Sequence, residues 1–96
     1  MGNYPAPILK TRSGVCYLCG RRGDTALHHI LYGPLRSAST DNGFYVFLCP
    51  DCHQYAPESV HRCIDTDMAL RRRCQRAFEK NHTRKEWMAI AHRNYL

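Results

Sequence analysis

Large apolar side chains are scarce in this chain: Leu, Ile, Val and Phe make up 18 of its 96 residues, and there is a single Trp. So thin a set, joined to a formal net charge of +6, gives a core too small to hold the chain by packing alone. The longest apolar run, residues 44–49, is far too short for a membrane-spanning helix or a secretory signal core. Myristoylation is excluded as well, because the opening Met1-Gly2 is followed at the sixth position by Ala6, where Ser or Thr is needed. With this length and composition one small domain is expected, and neither a large multidomain enzyme nor a coiled coil. What is abundant is Cys and His, six of each. Small chains with little core are held by disulfides or a metal, and in a chain expected to stay in a reducing cytosol closely spaced cysteines read as metal ligands.

Residues 1–14, with Pro5, Pro7 and Gly14, lack periodicity and read as an arm laid over the domain or left mobile. Two C-x-x-C pairs follow, Cys16 with Cys19 and Cys49 with Cys52; Gly20 suits a tight turn after the first. Between the pairs, residues 25–31 and 44–48 are strand candidates, joined by a Gly-, Pro- and Ser-rich stretch, residues 33–43, that reads as an exposed loop. Beyond the second pair the pattern turns helical. Thr66 is a plausible N-cap for a helix with the stripe Leu70, Cys74, Ala77 and Phe78, and Thr83 with Glu86 has capping-box spacing for a second helix that buries Trp87, Ile90 and Ala91. Cys63 and Cys74 read as small apolar fillers.

Two C-x-x-C pairs supply the four thiolates of a structural tetrahedral zinc site. The 29 residues between them exceed a usual zinc-ribbon interval, so other machinery is inserted there, including the doublet His28-His29. Neighbours on a strand point to opposite faces, so the two imidazoles have different tasks: one can ligate a metal while the other holds a proton. His53 follows Cys52 directly, at the expected start of a helix, and His61 lies eight residues further on. His28, His53 and His61 could form a second metal site with open positions. His82 and His92 read as ordinary surface residues.

Cys16-x-x-Cys19, then Leu27-His28-His29-Ile30, then Leu48-Cys49-Pro50-Asp51-Cys52-His53 resemble the zinc-containing HNH endonucleases, and the closing Arg93-Asn94-Tyr95-Leu96 is similar to tails of small phage-borne HNH proteins. The resemblance implies a small α+β fold: a ββα-metal finger over residues 15–64, stapled by the four-cysteine zinc, with residues 65–96 as a basic extension of two helices. It implies that His28 and His53 ligate one catalytic divalent cation (Mg, Mn, Ni or Zn) and that His29 is the general base. It also implies an Asn orienting that base; the position of the family's Asn is Phe44 here, and Asn42, two residues early at the loop end, is the candidate for that catalytic role, provided that the loop bends differently. The last His of the family follows Cys-His after three residues; His61 follows His53 after seven, past Pro57, which is expected to restart the helix.

The charge fits a nucleic-acid partner. Residues 62–96 hold nine Lys or Arg against four acids, and 11 of the 14 basic residues are Arg, whose fork suits phosphate. Arg72, Arg76 and Lys80 fall opposite the apolar stripe and could track a backbone, DNA in the first instance with RNA also open. The expectation is a metal-dependent HNH endonuclease of phage or mobile-element type, cytoplasmic in a bacterial host. Two rivals stand beside it: a non-catalytic module binding nucleic acid or a phage or host protein, as a counter-defence factor would, and a plain zinc-finger transcription factor.

Overall fold

A computed structural model describes residues 4–96 as a small α+β fold. In chain order the elements are β1 (Ala26–His29), α1 (Arg36–Asp41), β2 (Tyr45–Leu48), α2 (Ile64–Phe78) and α3 (Arg84–Ala91). Among the described residues no helix is long and apolar enough to cross a membrane.

The strands pair antiparallel, with His28 opposite Val46 and His29 opposite Tyr45. Strand alternation therefore gives His28, Ile30, Phe44, Val46 and Leu48 one face, and Leu27, His29, Tyr45 and Phe47 the other. The first face packs on the helices. Phe44 is fully buried, with its ring centroid 5.2 Å from Trp87 and 5.4 Å from Phe78. The position where the resemblance expects Asn is thus the aromatic hub that joins the strands to α2 and α3.

The arm lies along β2. The Tyr45 hydroxyl donates to the Pro5 carbonyl, the Ile8 amide donates to the Gly43 carbonyl, and the Thr11 hydroxyl accepts from the Phe47 amide. Ile8 and Leu9 pack against the core. Residues 1–3 of the expected arm lie outside the described residues. Gly43 is required at its position: its φ is +76°, and a Cβ there would run into the Ala6 carbonyl oxygen.

Three expectations about local structure are corrected. Residues 33–43 are not an open loop; a 3₁₀ turn, Gly33–Leu35, runs into α1, and Ser39 and Thr40 are buried. The Ser39 hydroxyl takes the Leu31 amide and donates to the Phe44 carbonyl, so α1 is anchored by hydroxyls and carries no apolar stripe to betray it. Second, no α-helix starts at His53 or restarts at Pro57. Asp51–Tyr55 is a single wide π-helical turn, and the chain turns until α2 opens at Ile64. Third, the residue capping α2 is Cys63, not Thr66, so Cys63 is a half-buried helix boundary and not a core filler. Cys74 is fully buried, as expected of one. The capping box of α3 forms as read: Glu86 donates its amide to the Thr83 hydroxyl, and the Thr83 amide donates to the Glu86 carboxylate. Trp87 and Ala91 are buried on α3, while Ile90 is half-buried.

Candidate metal centres and the histidine pocket

The first knuckle folds tightly because the Cys16 amide bonds the Arg21 carbonyl while the Gly20 amide, at a φ of +78°, bonds the Cys16 carbonyl. It is laid against β2 by the Tyr17 amide, which donates to the Phe47 carbonyl. The second knuckle is the direct continuation of β2. Cys16, Cys19, Cys49 and Cys52 accordingly meet, with all four sulfurs within 4.8 Å of one another. The Cys19 and Cys49 sulfurs are 3.7 Å apart, far beyond a disulfide bond and close to the separation of about 3.8 Å that a tetrahedron of zinc–sulfur bonds of about 2.3 Å requires. Burial pushes the Cys16 thiol up, but backbone hydrogen bonds at Cys49, Cys19 and Leu18 overcome it and bring the group down to about 6, favouring a thiolate. The donor set and its distances fit a structural ion such as zinc.

Next to this cluster a second one forms. His28 lies on the buried face of β1, His53 on the π-helical turn and His61 on the following turns, and their ligating nitrogens also lie within 4.8 Å of one another. Two backbone bonds hold the last two in step: the Val60 amide donates to the Cys52 carbonyl and the His61 amide to the His53 carbonyl. Nε2 of His53 and Nε2 of His61 are 3.0 Å apart, within the range of about 2.9–3.4 Å that two nitrogens take on one ion at about 2.0–2.1 Å. Nε2 of His28 is buried and, among the described residues, has no hydrogen-bond partner, a costly state for a polar nitrogen that a metal would relieve. Burial, reinforced by His53 and His61, pushes the His28 imidazole down to about 3; burial and then His61 lower His53. Neutral rings are the ligating form. These three residues could hold one metal with open positions.

His29, on the opposite face of β1, turns its Nδ1 to the Thr40 hydroxyl at 2.8 Å. Burial first, and the Arg36 guanidinium second, hold it below the usual histidine range. A pocket of about 440 Å³ is lined by His28, His29, Tyr32, Arg36, His53 and His61 among others, so the doublet serves one cavity from two faces. Asn42 does not reach it: its amide donates to the Ala38 carbonyl at the end of α1. The side chain beside His29 is Thr40, which no sequence motif marks. Without knowing that residues 36–41 are helical, its hydroxyl could not be placed.

Behind the pocket, Tyr32 donates to the buried carboxylate of Asp67, whose other oxygen receives Arg71 at 3.4 Å. The Arg71 guanidinium lies over the Tyr32 ring and donates to the Tyr95 hydroxyl. This network fastens the pocket wall to α2 and the tail. On α2, Arg76 is exposed and Arg72 half-buried, and Lys80 stands just beyond the helix end, exposed. No protein-family model, curated protein or solved structure matches this chain.

Proposed function

We propose that the protein is a metal-dependent endonuclease of the HNH kind, a ββα-metal finger hydrolysing DNA phosphodiester bonds. The observation that carries this reading is the convergence on one pocket of three imidazoles, one with a buried nitrogen unpartnered among the described residues, beside a fourth imidazole, His29, bonded to Thr40. In this reading a divalent ion bound by His28, His53 and His61 supplies Lewis-acid polarisation of the scissile phosphate. His29, donating from Nδ1 to Thr40, presents Nε2 to take a proton from water as the water oxygen adds to phosphorus. The P–O bond to the 3′ oxygen breaks and that oxygen takes a proton from solvent water, leaving a 5′-phosphate and a 3′-hydroxyl. Arg36 on the pocket wall is suited to hold a non-bridging phosphate oxygen.

The position of Asn42 away from His29 favours a second reading, a non-catalytic module that binds nucleic acid or a host protein. One assay decides. Purified protein supplied with Mg, Mn, Ni or Zn ions should nick plasmid DNA, and His29→Ala should lower the rate by about a hundred- to ten-thousandfold. Cleavage with no ion above the His29→Ala background would leave the binding module in its place.

A further inference from the structure

At the other edge of the two-stranded sheet, away from β1 and its histidines, the arm and the first cysteine knuckle both lean on β2. Thr11 receives the Phe47 amide and Tyr17 donates to the Phe47 carbonyl. Paired backbone contacts of Val15 with Arg12 and with Arg22 hold arm and knuckle in register. Between them and α2 lies a cavity of about 590 Å³, lined by Lys10, Thr11, Arg12, Val15, Cys16, Tyr17 and Arg73.

Its chemistry is one-sided. Three cations, Lys10 and Arg12 from the arm and Arg73 from α2, border it, and its lining holds no acid. All three are exposed, and none takes part in an ion pair among the described residues, whereas Arg21, Arg71 and Arg84 each have a carboxylate partner. Arg73 stands with its guanidinium carbon 6.0 Å from the centre of the Tyr17 ring, which steers the fork toward the cavity wall. Positive charges drawn together from segments some sixty residues apart in sequence repel one another, a cost that an anionic ligand reverses.

We propose that this cavity is a docking site for the phosphodiester backbone of a nucleic acid, with Lys10, Arg12 and Arg73 as its phosphate contacts. The proposal rests on the nuclease reading only for the identity of the polyanion. A strand spanning the sheet from the histidine pocket to this cavity would be gripped at both edges, and the gripping residues differ from the set Arg72, Arg76 and Lys80 that helical periodicity selects. The cavity also owes its shape to the zinc knuckle, since Cys16 is part of its wall.

The test is salt-dependent binding of the full chain, zinc retained, to a cleavage-resistant phosphorothioate duplex and to the matching single strand, followed by fluorescence anisotropy. The triple variant Lys10→Ala, Arg12→Ala, Arg73→Ala should flatten the slope of log affinity against log salt by two to three units on the duplex, at about 0.9 per contact, and by about two on the single strand, at about 0.7. The charge-matched variant Arg84→Ala, Lys85→Ala, Arg93→Ala should change it by less than one. Equal flattening in both triples would reduce the effect to net charge and overturn the site, as would a wild-type slope in the first. Thermal melts of the variants, altered only at exposed side chains, should match the parent; if the first triple melts early, Arg73→Glu alone must weaken binding at least tenfold or the site is rejected. Binding is read without cleavage, so a protein that docks here and cuts nothing fails the nuclease reading alone.

Discussion

The Thr40 hydroxyl lies 2.8 Å from Nδ1 of His29 and donates its own proton to the Arg36 carbonyl at 3.0 Å. A hydroxyl has one proton, so toward His29 it can only accept. Nδ1 must then carry the hydrogen and Nε2 the lone pair, which is the tautomer a base working into the pocket needs. Thr40→Val, which keeps the shape and removes the acceptor, should lower cleavage about ten- to a hundredfold at unchanged thermal stability, and Thr40→Ser should restore most of it. Asn42→Ala should leave the rate within a factor of about two, since that amide bonds only the Ala38 carbonyl. A large loss in Asn42→Ala with a normal Thr40→Val would reverse the assignment.

An ion held by the four-cysteine cluster is expected to carry most of the stability. Structural zinc binding contributes about 10–16 kcal/mol at neutral pH, as much as the whole stability of an ordinary domain. Cys16→Ser or Cys49→Ser, or removal of the ion with a strong chelator, should abolish the cooperative thermal transition followed by circular dichroism. Survival of that transition near its original temperature would mean the apolar core suffices by itself.

Gly43 binds the arm to the sheet. Gly43→Ala places a Cβ at a φ of +76° and against the Ala6 carbonyl, so a loss of at least about 1–2 kcal/mol is expected, or a fall in melting temperature of roughly 4–8 °C per kcal/mol. Because the arm is displaced, trypsin should cut at Lys10 and Arg12 faster than in the parent.

Asp67, buried, and Arg71, half-buried, form a pair in which loss of the carboxylate removes the guanidinium's counter-charge. The Asp67 side chain is 3% exposed and that of Arg71 13%. Asp67→Ala takes the counter-charge from Arg71 and the acceptor from Tyr32, and should cost about 2–3 kcal/mol in urea unfolding. Asp67→Asn, which keeps an acceptor for Tyr32, should cost visibly less.

Both side-chain clusters, the four sulfurs and the three imidazoles, are legible in the sequence because ligand spacing is a local signal: the two C-x-x-C pairs, the doublet and the Cys52-His53 step are read directly along the chain. The capping box at Thr83 and the stripe through Leu70, Cys74 and Phe78 were legible for the same reason. Hidden were the features set by partners distant in sequence. Helix α1 docks through Ser39 and Thr40, which no hydrophobic period marks, so residues 33–43 carry only loop signals along the sequence. The return of His61 to His53 depends on a π-helical turn and a short backbone ladder that spacing does not encode. Phe44 could be seen to depart from the family pattern, yet its reason, the contact with Trp87, crosses more than forty residues.

Cys52 and His53 are consecutive residues of one five-residue turn, one facing the sulfur cluster and the other the imidazole cluster. Fixing the turn to suit one cluster therefore fixes most of it for the other. Ions held at both would be linked thermodynamically: each would bind more tightly with its neighbour present, and by reciprocity the factor would be the same in both directions. A cell poor in zinc would then lose the imidazole centre along with the scaffold, so the supply of one ion would govern whether the pocket exists at all.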